Sequence, residues 1–186
     1  MQSITNKNFG LVIAFLVPGF IAICGASVRS PTIEMWLAGN DGVTIGGFLY
    51  LTLAAIFVGL LCSTLRWLLL DRIHESTGIK QPDWDLTRLQ SNLEAFTLLL
   101  ESHYRYYQFY GNSLFGSSIA YASWRSLLQL YPPILADAVF LVIATLLFLG
   151  SRDTLRKYYG RVDLVLSSES ESTIIAPPFD FSENST

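Results

Sequence analysis

Four stretches almost free of charge limit what this chain can fold into. Residues 9–28 and 43–65 carry no Asp, Glu, Lys or Arg, residues 106–124 carry none, and residues 134–150 carry only Asp137. The first two are 20 and 23 residues long. As helix, each would reach across the roughly 30 Å of hydrocarbon in a bilayer. Charged residues make up 15% of the chain, against about 25% in soluble domains. The expectation is an all-α, multi-pass membrane protein: a bundle of four transmembrane helices at residues 9–28, 43–65, 106–124 and 134–150. Residues 1–8 form a short lead, 9–150 the membrane domain and 151–186 a tail.

Basic residues set the expected orientation. With four crossings, one side receives Lys7, then Arg66, Arg72, Lys80, Arg88 and Arg105, then Arg152, Arg156, Lys157 and Arg161. The other side receives only Arg29 and Arg125. Lys and Arg are retained on the cytoplasmic face, so both termini and the middle loop are expected there, in the plasma (inner) membrane. The same count bears on the most polar stretch, 106–124. If it did not cross, the split would fall from ten against two to seven against five. Residues 9–28 are read as a span and not a cleaved leader, because they exceed the usual apolar core of a signal and three more stretches follow.

Local patterns fill in the bundle. Pro18-Gly19 falls in the middle of the first span, where proline removes a backbone donor and kinks the helix while glycine lets a neighbour approach; the rival reading is a hinge or a broken helix lining a site. Gly42 and Gly46 have the spacing of a close helix contact. Trp36 is expected at the membrane interface, and Arg66, at the end of the second span, is expected to snorkel to the headgroups. Cys24 and Cys62 both fall in spans and read as small packing residues. After the turn residues Gly78, Pro82, Asp83 and Asp85, an amphipathic cytoplasmic helix is expected over residues 84–105, leading into the third span. Its stripe of Leu86, Leu89, Leu93, Phe96 and Leu100 recurs at spacings of three and four. That stripe must cover itself with the membrane, another part of the chain or a partner. After Arg161 the tail holds five acids and no base, the composition of a flexible segment.

The densest polar cluster enters the third span. Glu101, Arg105, Gln108 and Asn112 lie four, three and four apart, so one helix face carries them all, with Glu101 and Arg105 in the favourable order for an ion pair. One reading is an interfacial belt plus helix-to-helix hydrogen bonds. The other is a polar pathway, to which Asp137 would add an acid facing the interior. Alternatively, Asp137 lies near the external surface and pairs with Arg125. His74 and His103 lack any companion nucleophile or metal-ligand motif. No phosphate-binding or dinucleotide loop is present, and a net charge of −3 makes no case for nucleic acid. The sequence therefore leads to a non-enzymatic membrane component without cofactor or metal, with the lipid bilayer and a protein partner or second copy as its partners. The alternative is a small oligomeric channel or transporter subunit.

Overall fold

The computed structural model of the chain describes residues 2–38, 45–84, 93–125 and 134–167. Among these residues there is helix, turn and coil but no strand. The helices are α1 (Gln2–Ser27), α2 (Pro31–Ala38), α3 (Ile45–Leu65), α4 (Asp71–Ser76), α5 (Leu93–Leu99), α6 (Arg105–Arg125) and α7 (Ile134–Ser167). A π-helical turn, Arg66–Leu70, joins α3 to α4, and a second, Leu100–Tyr104, joins α5 to α6. All-α architecture is what the charge-free stretches require. Two helical segments, Ile45–Ser76 and Ile134–Leu166, are long and apolar enough to cross a membrane. The other two expected crossings fall on α1, whose apolar part is the shorter Val12–Ser27, and on the polar α6.

Helix α1 is the axis of the bundle, with its most extensive contacts to α6 and α3. Close backbone approach makes this possible. A Cβ on Gly19 would collide with the Ala55 carbonyl of α3, and one on Gly59 would collide with the Phe15 carbonyl of α1. Across the other seam, a Cβ on Gly116 of α6 would strike the Pro18 carbonyl. Such small-residue seams are how helices associate where no hydrophobic effect drives them together. The predicted packing role of Gly19 therefore has a specific partner surface. Of the pair Gly42 and Gly46, Gly46 faces open space and Gly42 lies outside the described residues. Cys62 is fully buried and Cys24 half-buried, both as free thiols.

The segment after α1 is more ordered than a loop. Ser30 precedes Pro31, and its carbonyl accepts from Glu34 N at 2.9 Å; proline suits a first helical position because no donor is needed there. The resulting α2 lays Ile33 and Leu37 on a core of Ile23, Leu51 and Ala55. Trp36 stacks on Tyr50 with ring centroids 6.3 Å apart.

The largest departure from expectation is α7. Expected to end near residue 150, it continues unbroken to Ser167, 34 residues in all. Its extension carries Leu155, Tyr158, Val162 and Leu166, all buried, at spacings of three, four and four. Phe96, Leu99, Leu100 and Tyr104 pack on Tyr158, Val162 and Leu166. Phe96 and Leu100 of the expected stripe are thus covered by the chain's own C-terminal helix. Residues 162–167, which composition assigns to a flexible tail, belong to this helix; residues 168–186 lie outside the described residues.

Candidate functional site

The expected polar face divides into separate local jobs. Asn112 is fully buried, and its Nδ2 donates to the carbonyl of Ala14 in α1 at 2.8 Å. Ala14 is four residues before Pro18, so its carbonyl is the one that proline leaves without a helical donor. Asn112 supplies across the helix interface the hydrogen bond that Pro18 cannot make within the helix. The sequence singled out both residues, but nothing in the sequence links them. Of the two readings of Asn112, the geometry matches helix-to-helix bonding.

Arg105 is half-buried and lies against Gly10, where a Cβ would come within 2.5 Å of its Cδ. No ion pair joins Glu101 to Arg105 among the described residues. The cause is the π turn Leu100–Tyr104 between them. Its extra residue per turn breaks the stacking that a regular helix gives to positions four apart. Gln108 is half-buried and sits on α6 between Arg105 and Asn112. Asp137 is not part of this cluster. It pairs with Arg125 at 3.0 Å and accepts from the Tyr121 hydroxyl, partners that stand about 14–20 Å along α6 from Asn112. Ring stacking of Tyr121 on Phe140, at 4.0 Å, closes the same end. In the stripe assigned to partner docking, Phe96 and Leu100 are covered by α7, Leu93 is exposed, and Leu86 and Leu89 lie outside the described residues.

The most concentrated buried polar cluster was not expected. Arg66, only 4% exposed, does not reach for headgroups. The π turn that it opens rotates it inward, where its Nη1 lies 3.3 Å from Asp71 Oδ1. Its guanidinium sits over the Tyr107 ring at 4.7 Å, a cation–π arrangement. The Tyr107 hydroxyl donates to Asp71. Gly111 makes room for the arginine stem, since a Cβ there would lie 2.5 Å from Arg66 Cδ. One turn on, His74 is fully buried between Tyr107 and Phe148 and shares a hydrogen bond with the buried Ser151 hydroxyl at 3.1 Å. This node ties the π turn after α3 to α4, α6 and α7 where the apolar stretches end. No spacing in the sequence announced it: in regular helix, Arg66 and Asp71 are five apart and do not face each other, and their bond goes with the widened turn.

The α4 terminus is closed by a Schellman arrangement. Ile79 N donates to His74 O at 2.9 Å, Gly78 N donates to Glu75 O at 3.1 Å, and Gly78 adopts φ +93°, which an L side chain resists. Arg152 of α7 donates to both the Thr77 hydroxyl and the Thr77 carbonyl, placing a cation at the helix C-terminus.

The chain matches no protein-family model, no curated protein and no solved structure.

Proposed function

We propose that this chain is a non-enzymatic, four-span component of the plasma (inner) membrane, with both termini cytoplasmic, that anchors a cytoplasmic α5–α7 unit and assembles with a protein partner or a second copy. One observation carries this reading: four buried polar side chains, Asn112, Arg66, Tyr107 and His74, hold helices to one another. Asn112 serves the Ala14 carbonyl, Arg66 and Tyr107 serve Asp71, and His74 serves Ser151.

The outer surface supports membrane insertion. Phe48, Leu53 and Phe57 on α3 and Leu135, Leu141 and Leu146 on α7 are all more than half exposed, and almost none of the apolar part of α7 is buried. A belt of this size far exceeds the patches that soluble monomers show to water. Placing α1 and α6 as crossings as well rests on the lopsided basic residues and on packing. Helix α6 buries its small and polar face, Gly111, Asn112, Ser113 and Gly116, with Asn112 and Gly116 against α1 and Gly111 against Arg66. A polar helix crosses lipid at least cost when that face is turned to other helices.

The channel reading has weaker support, because Asn112 is fully buried with its Nδ2 bonded to α1 and Asp137 sits with Arg125 at the far end. Two experiments separate the readings. Photo-crosslinking from position 98 in native membranes should capture one reproducible protein, or the chain itself, because Leu98 is 65% exposed on α5. Solute flux in liposomes that disappears with Asp137→Asn and with Asn112→Leu would establish the channel instead.

A further inference from the structure

Where α7 leaves the apolar region, it borders a cavity of about 430 Å³ lined by Gly78, Ile79, Lys80, Arg152, Arg156, Tyr159 and Gly160. Three of these residues are cationic and none is acidic. Arg152 and Arg156 lie four apart on one face of α7, where like charges repel. Arg152 is held in place by its two bonds to Thr77. Among the described residues Lys80 and Arg156 have no carboxylate partner, whereas Lys157, on another face, pairs with Asp153 at 2.6 Å. Three cations converging on one cavity with two of them uncompensated is an arrangement that an anion would stabilise.

Position along the helix narrows the choice of anion. The apolar stretch of α7 ends at Gly150. At 1.5 Å per residue, Arg152 and Arg156 stand about 3 and 9 Å beyond it. The headgroup layer on each side of a bilayer spans roughly 5–8 Å beyond the hydrocarbon. The cavity therefore sits at the depth of lipid phosphates. Tyr159, half-buried and in edge contact with Trp84 at 5.7 Å, gives it an aromatic wall of the kind found at that interface.

We propose that Lys80, Arg152 and Arg156 form a binding site for the phosphate of an anionic phospholipid headgroup. The site rests on the membrane reading above. Free phosphate shares the same chemistry, but depth and the adjoining apolar surface favour the lipid.

The test uses the full chain purified in mild detergent and titrated with phosphatidylglycerol or phosphatidylcholine, with bound lipid counted by native mass spectrometry. Phosphatidylglycerol should be retained selectively. A variant with both Lys80→Gln and Arg156→Gln should lose roughly 25-fold in that affinity, about fivefold for each basic residue. These two side chains make no bond that the fold depends on, so the variant should insert and unfold like the parent. Lys157→Gln, which removes a basic residue outside the cavity, should leave binding unchanged. Equal retention of both lipids, an undiminished affinity in the double variant, or displacement of the lipid by millimolar inorganic phosphate would overturn the proposal. Alkaline carbonate extraction separates the two levels of failure. Protein that stays in the membrane but shows no lipid preference defeats the site alone. Protein released by carbonate defeats the membrane reading and the site with it.

Discussion

If Asn112 replaces the donor that Pro18 lacks, the two residues must be energetically coupled. Asn112→Ala leaves the Ala14 carbonyl buried with neither a helical nor a cross-helix partner. A buried polar group left unsatisfied costs about 1–3 kcal/mol, and hydrogen bonds between membrane helices are worth about 0.6–2 kcal/mol, so the expected loss is about 1–2 kcal/mol beyond the small cavity created. Pro18→Ala restores an N–H at position 18, which can donate to Ala14 in the regular helical way. In that background, Asn112→Ala should cost only the cavity. The cavity contribution is common to both arms and cancels in the double-mutant cycle, leaving a coupling of about 1–2 kcal/mol. Reversible unfolding in mixed detergent and denaturing-detergent micelles measures all four forms. Equal costs of Asn112→Ala in the two backgrounds would refute the reasoning.

Further outcomes follow from the same contacts. Gly59→Leu should drive α3 off α1 and destabilise the bundle by more than about 2 kcal/mol, the scale of overpacking where backbone blocks relaxation, while Gly46→Ala, which meets open space, should change the unfolding midpoint little. Asp71→Asn leaves the buried Arg66 without its carboxylate and should cost on the order of 2 kcal/mol, below the range for fully buried pairs because Asp71 is one-third exposed; adding Arg66→Met should recover part of the loss. Phe96→Glu should release α5 from α7 and open residues 93–104 to protease, whereas Leu93→Glu, on the exposed face, should leave digestion unchanged. His103 has its pKa lowered, first by burial and then by Arg161 and Lys157. The unfolded chain then binds more protons below about pH 6.5, so docking of α5 on α7 is at full strength above that pH and weakens as pH falls, which hydrogen exchange across residues 93–104 can follow.

Much of the helix layout could be read directly from the residues, because charge-free stretches and their flanks are local signals. The close approach at Gly19 was legible for the same reason. What could not be read was partnership. Asn112 and Pro18 are far apart in sequence, and no periodicity pairs a proline with the residue that compensates for it. Arg66 was misplaced because the π turn shifts its register; ordinary helix arithmetic points it at the headgroups. The Glu101–Arg105 pair failed for the same reason at the second π turn. The extension of α7 did leave a trace, Leu155, Tyr158, Val162 and Leu166 at helical spacing, but the charges between them and the acids beyond made the segment look like tail. Phe96 and Leu100 then appeared to lack a cover that the chain itself supplies.

The membrane account depends on both ends of the chain and its middle segment sharing one face. Single cysteines at Thr5, Gln81 and Ser170, and at Asn40 and Gln129, in a chain with Cys24 and Cys62 replaced by alanine, can be probed on intact cells with an impermeant thiol reagent. The account predicts labelling at Asn40 and Gln129 alone, with the other three reacting only after the membrane is opened. Labelling at Ser170 while Thr5 and Gln81 stay protected would mean that an odd number of helices cross, and the four-span arrangement would be wrong.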